Sequence, residues 1–326
     1  MNKLLIKLIK SPIHYLYSGE KYLKKRSKEL EIYYNDPKTD LAINDVIICM
    51  FDGKMAHGGL ADRLRGIISM YHYSKLNNLN FRIHHTHPFN LAYFLQPNLY
   101  DWEIKESEIS YNKELSIPLY IACGNYYFED SFTKKILDKN IKGYKQYHVY
   151  PSLKIADDKF HELFHELFTP SPILQNAINN LLNDINGKFI TMSFRFVELL
   201  GDFKDSINIT LTSEERILLI NKCLNAIGEI RKKAPSHDKV IITSDSTTFL
   251  EYAKSLPDVY IIPGKIGHID YQDDINIHLK TFTDFLIISH AEKAYMVRTP
   301  IMYKSGFAQR ACMINNTPFE EYIIKE

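Results

Sequence analysis

The chain has 326 residues, of which 45% are hydrophobic and 24% charged. That is ordinary globular usage with enough apolar material for a sizeable core, so wholesale disorder and collagen-like repeats are excluded. Forty basic residues against 39 acidic ones leave a net charge of +1, which disfavours a nucleic-acid binder that relies on a global basic field.

The near-zero total conceals an asymmetry. Residues 1–30 hold eight Lys/Arg and two Glu, so this segment is +6 and the other 296 residues sum to −5. The run Leu4-Leu5-Ile6-Lys7-Leu8-Ile9 is far shorter than the roughly 20 apolar residues a bilayer span needs, and it lacks the long apolar core of a secretory signal. Two readings stay open for residues 1–30. One is a membrane-surface helix with its apolar side in the interface and lysines toward anionic lipid. The other is a solvated lead-in helix that packs on the domain.

Val46–Phe51 reads as the first strand. It runs into the glycine-containing loop Asp52–Gly59, and a helix with Leu60, Leu64, Ile67, Ile68 and Tyr71 at helical spacing follows. Phe81–His84 and Pro118–Cys123 read as strands, while residues 98–114 carry no clear pattern. Residues 158–168 form an amphipathic helix ended by Thr169-Pro170-Ser171-Pro172, because proline removes a donor and restricts its predecessor. A helix over Ile173–Asp184 then stops at Asn186-Gly187. The second half alternates: strand Phe189–Phe194, a long helix capped by Thr212 or Ser213, strand Val240–Thr243, helix Thr247–Ser255, strand Val259–Ile262, helix Thr281–His290, strand Ala294–Val297 and a last helix near Gly306. This alternation indicates βαβ units and a parallel sheet. The expected division is a basic segment 1–40, a first α/β domain 41–175 and a second 176–326. Cys49, Cys123, Cys223 and Cys312 lie far apart with no C-x-x-C pair, which suits a reducing compartment.

Ligands of such sheets bind beyond the carboxyl ends of the strands, so the loops there hold the candidate residues. His57-Gly58-Gly59, followed by Arg63, joins a strand to a helix and could bring backbone N–H groups to an anion. It is neither G-x-G-x-x-G nor a Walker loop, and a plain tight turn is the alternative. Ser193-Phe194-Arg195 ends a strand, where an arginine can grip a phosphate bidentately; Glu198 and Asp202 lie just beyond as candidate bases. Thr243-Ser244-Asp245-Ser246 can cap the next helix or bind a sugar or base. Ser305-Gly306-Phe307 precedes a helix start that could bind phosphate. His84-His85-Thr86-His87 reads as a polar loop, an acceptor pocket or a metal site. His161-Glu162-Leu163-Phe164-His165 matches the H-E-x-x-H zincin pattern. It sits within the near-duplicated run F-H-E-L-F-H-E-L-F, and no recognisable third-ligand motif follows.

Taken together, four ordered blocks resemble the fucosyltransferase-like group of GT-B glycosyltransferases, which includes protein O-fucosyltransferases, α1,6-fucosyltransferases and bacterial polysaccharide relatives. The blocks are H-G-G-L-A-D-R-L-R-G-I at 57–67, M-S-F-R-F-V-E-L-L-G-D at 192–202, I-I-T-S-D-S at 241–246, and the stretch from T-D-F-L-I-I-S to K-S-G-F at 283–307. The resemblance implies an α/β, GT-B fold with two Rossmann-like domains facing a cleft. It implies a nucleotide-sugar donor, GDP-linked with GDP-fucose as the expected sugar nucleotide, and inverting, metal-independent transfer to a glycan or lipid-linked acceptor. In that pattern Arg195 holds the donor's β-phosphate, while Asp284 and the residues around Ser305 and Phe307 shape the nucleotide site. The chain departs from the pattern at Ser193, Phe196 and Ser305-Gly306, where relatives carry a histidine, a second arginine and a serine pair. The expectation is therefore a cytoplasmic glycosyltransferase at the inner face of the plasma membrane, with no nucleic-acid partner. A zinc-dependent hydrolase using His161 and His165, and a non-catalytic nucleotide-sugar-binding protein, are the alternatives.

Overall fold

The computed structural model describes residues 12–37, 43–122, 129–155, 157–203, 210–234, 236–267 and 274–325. The lysines and apolar run of residues 1–11, and Cys123, lie outside the described residues. The chain forms two compact units: Met1–Leu91 with Pro97–Thr169, and Ala92–Gln96 with Pro170–Glu326. The last crossing, at Thr169/Pro170, falls within the proline-rich segment. Nothing in the sequence pattern announces the excursion at 92–96.

The first unit opens with helix α1 (Pro12–Leu30), followed by strand β1 (Val46–Phe51), helix α2 (Leu60–Leu76) and strand β2 (Asn80–His85). After the short β3 (Leu95–Pro97), two of whose three residues belong to the second unit, come β4 (Ser116–Ile121), α3 (Glu129–Asn140), β5 (Gln146–Pro151), α4 (Phe160–Leu167) and β6 (Phe168–Pro170). Its sheet has the order β2-β1-β5-β4 with every pairing parallel. All six residues of β1, Val-Ile-Ile-Cys-Met-Phe, are buried, as expected of a strand covered on both faces. Helix α2 packs on β1, β2 and β5, and α1 packs along the edge strand β4. The close approach of α2 to the end of β5 depends on Gly66, where a Cβ would stand 2.5 Å from the Pro151 carbonyl oxygen.

Strand β5 is central and fully buried, yet no apolar pattern marks it, because Gln146 and His148 interrupt the run. The fold satisfies both. Gln146 Oε1 accepts from the Ser110 N–H at 2.8 Å, and its amide donates to the carbonyl oxygens of Glu108 and Ile43. His148 Nδ1 lies 2.7 Å from the Tyr34 hydroxyl.

The second unit continues with α5 (Pro172–Ile185), β7 (Phe189–Phe194), α6 (Ser213–Lys233), β8 (Lys239–Ser244), α7 (Thr247–Ala253) and β9 (Val259–Ile261). It ends with α8 (Ile275–Ser289), β10 (Lys293–Arg298), α9 (Phe307–Asn315) and β11 (Phe319–Ile323). Its sheet order is β11-β10-β7-β8-β9, again all parallel. Counted within the unit this is 5-4-1-2-3, the Rossmann strand order, and the topological switch falls between β7 and β10. The core beneath it combines Ile190, Met192 and Phe194 of β7 with Leu219, Cys223 and Ile227 of α6 and Phe249 of α7.

Local chemistry sets the helix starts. Ser171 caps α5 with Pro172 in its first turn, a fixed φ suited to that place. Thr212 and Glu215 form a reciprocal capping box on α6. Asp274 caps α8, so that helix begins six residues before the expected Thr281: the cap lies beyond the window where apolar residues cluster. Strand β11 is half-exposed at the sheet edge and carries no strand signal.

Candidate functional site

In the second unit the loops after β7, β8 and β10 emerge around the switch point. Arg195 follows β7 directly, and its side chain remains 24% exposed. Its Nη1 lies 3.2 Å from Asp245 Oδ2, and its guanidinium sits 4.7 Å from the centre of the Phe203 ring. Asp245 is buried, and its two oxygens accept from the backbone N–H groups of Phe196 (2.8 Å) and Val197 (2.7 Å). Val197 has φ +57°, a left-handed conformation that costs a β-branched residue of order 1–3 kcal/mol. Asp245 thus clamps the strained turn that aims Arg195. Burial pushes the Asp245 carboxyl above its ordinary value, while Arg195 and the two N–H groups pull it back down.

Ser193 and Thr243 are register partners on β7 and β8, and their hydroxyls lie 2.7 Å apart. Ser244 accepts from the Ser246 N–H at 3.1 Å. After β10, the Ser305 hydroxyl accepts from the Phe307 N–H at 3.2 Å, and exposed Gly306 is the cap residue of α9 with no side-chain cap. Such a helix start presents N–H groups and a positive dipole end to an anion. The Phe307 ring packs edge-on to Phe285 at 4.9 Å. Glu198 is half-buried just past the Val197 turn.

Two expected roles in this unit do not suit the positions found. Asp202 Oδ2 accepts from the Ser246 hydroxyl and the Thr248 N–H, so this carboxylate caps the start of α7 rather than standing ready as a base. Asp284 forms a buried ion pair with Lys280 one turn earlier on α8, at 2.6 Å. Burial raises its carboxyl, and Lys280 opposes this.

In the first unit the glycine loop is held from within. Gly58 has φ +75°, which favours a residue without a Cβ, and Gly59 is the cap residue of α2. Arg63 is 1% exposed. Its Nε donates to the Gly58 carbonyl oxygen (3.0 Å), and its Nη1 donates to the His87 carbonyl oxygen (2.8 Å) and lies 3.0 Å from His85 Nε2. Arg63 therefore braces two loops, and the expected direct donor contact does not fit so buried a guanidinium. His57 accepts from the Gly53 N–H at Nε2 and stacks on Tyr150. Burial, reinforced by Arg63, drops its pKa to about 3, so the ring is neutral. His84 and His85 belong to β2 and are buried, not part of a polar loop.

A second polar cluster at the end of β1 escaped the sequence reading. Asp52 Oδ2 accepts from Lys54 Nζ (2.7 Å) and the Tyr150 hydroxyl (3.0 Å), and Lys54 Nζ also reaches the Tyr111 hydroxyl at 3.1 Å. Burial would raise the Asp52 carboxyl, but Lys54 and Tyr150 together hold it below its ordinary value. The position of Asp52 just after β1 was a usable signal. Tyr150 lies on the unrecognised β5 and left none. Next to β2 a cavity of about 420 Å³ is lined by Arg82, His84, Thr86, Asn90, Trp102 and Lys105, among others.

His161 and His165 are exposed on α4 with ring centroids 4.8 Å apart, and Glu162 pairs with Lys159. Among the described residues no group of three His, Cys, Asp or Glu could hold a metal ion.

No protein-family model and no curated protein sequence matches the chain. Solved structures do. The NodZ α-1,6-fucosyltransferase soaked with GDP-fucose superposes with a TM-score of 0.53 at 14% identity, over 83% of this chain and 92% of that one. A point mutant of Arabidopsis thaliana FUT1 in complex with GDP gives 0.52 at 14%, over 96% and 78%. POFUT1 in complex with GDP gives 0.50 at 12%, over 88% and 100%. The fold is the GT-B fold of these fucosyltransferases, with two Rossmann-like α/β domains, as the four sequence blocks imply.

Proposed function

We propose that the protein is a glycosyltransferase that takes a sugar from a GDP-linked donor, GDP-fucose above all, and passes it with inversion to a glycan or lipid-linked polysaccharide acceptor on the cytoplasmic side of the membrane. The observation that carries this reading is Arg195: a half-exposed guanidinium on a strained, Asp245-clamped turn at the Rossmann switch point. Solved structures of the same fold hold GDP or GDP-fucose.

The chemistry follows from the leaving group. As the glycosidic bond to the donor breaks, negative charge gathers on the β-phosphate of GDP. A preorganised cation stabilises that charge without reorganisation cost at the moment of reaction. Arg195 supplies it, and the N–H groups at the start of α9 beyond Ser305-Gly306 add fixed dipoles. The hydroxyls of Ser193, Thr243 and Ser244 offer contacts to the nucleotide's sugar and phosphates. With this positive charge built into the chain, transfer proceeds without a metal. Inversion requires the acceptor hydroxyl to attack from the face opposite the departing GDP. A carboxylate takes its proton, and Glu198, just past the Val197 turn, is the candidate for that role.

The test compares thermal shifts with GDP, GDP-fucose and UDP, followed by donor turnover with and without chelator. A shift with the guanine nucleotides that Arg195→Ala abolishes, and turnover that chelator leaves unchanged, are expected. Indifference to all three nucleotides would overturn the reading. Donor binding with no transfer to any acceptor extract would make the chain a nucleotide-sugar-binding protein.

A further inference from the structure

The apolar run Leu4–Ile9 lies outside the described residues, but over Leu23–Leu30 the apolar side of helix α1 is already occupied. Leu23 and Leu30 are buried, the helix packs along β4, and the Ser27 hydroxyl accepts the Tyr120 N–H of that edge strand at 2.8 Å. An apolar face that closes the unit's own sheet edge cannot also enter a bilayer.

The opposite side is different. Lys21, Lys24, Lys25 and Lys28 are exposed and spaced i, i+3, i+4, i+7, which places them on one face. None of the four forms an ion pair among the described residues. The acidic residues within this stretch of helix are engaged elsewhere: Glu20 with Lys139 of α3, and Glu29 with Arg26. Glu20 also reports on the local field. Its pKa is lowered, first by the hydrogen bond to Lys139 and then, against burial, by the charges of Lys139, Lys135 and Lys24. Lysines of two helices thus converge on one patch. Tyr22 (44%) and Tyr33 (43%), in and just after the helix, are exposed, and tyrosine is an amphipathic residue type that settles at a lipid headgroup boundary.

We propose that this lysine face docks the protein on an anionic phospholipid bilayer, with α1 lying flat and its apolar side still on β4. A planar anionic surface needs only one basic face. An extended nucleic acid would meet a body that is net −5 and repels it. Lysines near such a surface contribute about 1 kcal/mol each, so removing two should weaken binding roughly 30-fold. The inference does not depend on the donor reading, because vesicle binding requires no catalysis.

The experiment is co-sedimentation of the full chain with phosphatidylcholine vesicles, with and without phosphatidylglycerol, at rising salt. Binding to the phosphatidylglycerol vesicles alone, weakening with salt, is expected. Lys24→Gln/Lys25→Gln should lose roughly 30-fold in vesicle affinity while keeping the nucleotide thermal shift, and Lys222→Gln/Lys254→Gln in the second unit should bind as the parent does. Equal binding to uncharged vesicles would overturn the proposal. So would loss of binding only when Lys3, Lys7 and Lys10 are replaced, or equal affinity for DNA or a soluble acidic polysaccharide.

Discussion

Each unit places an arginine soon after its first strand, Arg63 after β1 and Arg195 after β7, and the two do opposite things. Arg63 is almost fully enclosed and donates to the carbonyl oxygens of Gly58 and His87. Arg195 keeps a quarter of its side chain in solvent and leans on the Asp245 carboxylate and the Phe203 ring. Both lie in sequence blocks that resemble the same glycosyltransferase group, so residue type and motif position alone do not separate a brace from a ligand grip. Burial separates them: an enclosed guanidinium meets only its own chain, and one with a quarter of its side chain in solvent is open to a ligand.

The units also differ in how many histidines they enclose, though burial lowers His290 of the second unit as well, and acid should reveal this difference most strongly. His57, His85 and His148 of the first unit are buried and held neutral, His57 and His148 with pKa values of about 3 and His85 well below its ordinary value. Unfolded histidines take a proton near pH 6.5. The stability these rings contribute is therefore present above that pH and falls as pH drops from about 6.5 toward 3, by about 1.4 kcal/mol per pH unit for each. Hydrogen exchange at pH 5 should show the first unit opening before the second. Simultaneous opening would erase the distinction.

The arginines themselves come next. Arg195→Ala should cut transfer on the order of 10²–10³-fold, the usual loss of one charge-stabilising donor, with only a small change in melting temperature. Arg63→Ala should do the reverse. Losing hydrogen bonds to a buried charged group costs about 3 kcal/mol, and the melting temperature should fall on the order of 10 °C while the molecules still folded bind GDP as before. If Arg63→Ala abolished GDP binding without loss of stability, the brace assignment would be wrong.

Asp245→Asn probes the clamp on the exposed arginine. The amide can accept from only one of the two N–H groups at Phe196 and Val197, and it removes the charge facing Arg195. Roughly 10- to 100-fold of activity should be lost, equivalent to one charge-assisted hydrogen bond. Because burial raises the Asp245 carboxyl, activity should decline as pH falls through a value above the ordinary carboxylate range, and the variant should flatten that limb. The sign for stability is opposite: a raised carboxyl disfavours folding once ionised, and that cost disappears below its unfolded pKa. The smallest effect belongs to His161→Gln/His165→Gln, for which transfer and zinc content should stay as in the parent.

The legibility of the molecule in its sequence follows the same physics. Val46–Phe51 and Phe189–Phe194 were readable because each is a short apolar run feeding a glycine or arginine loop, and the second half alternated cleanly. Strand β5 was not readable, because its fit to the core comes from long-range partners of Gln146 and His148 on the segments around Tyr34 and Ser110. The start of α8 was hidden for a simpler reason, a lone Asp274 cap with no acidic first turn. At the site, the chemistry of Arg195, Ser193, Thr243 and Asp245 could be guessed from strand ends. The clamp that Asp245 forms could not, since it binds the backbone of residues 49 and 48 positions earlier.

The five residues Ala92–Gln96 impose an order of events on synthesis. Phe94 is fully buried in the second unit, stacked on Phe282 at 4.6 Å, and its carbonyl oxygen accepts from the Ser171 N–H. Phe282 leaves the ribosome about 190 residues after Phe94, a delay of roughly 10–40 s at ordinary elongation rates. During that interval the first unit can close around its own sheet while this piece of the second waits, apolar and unmatched, in the middle of it. A cut at Thr169/Pro170 would therefore not yield two independent proteins, because the later half would be released without the phenylalanine that completes its core.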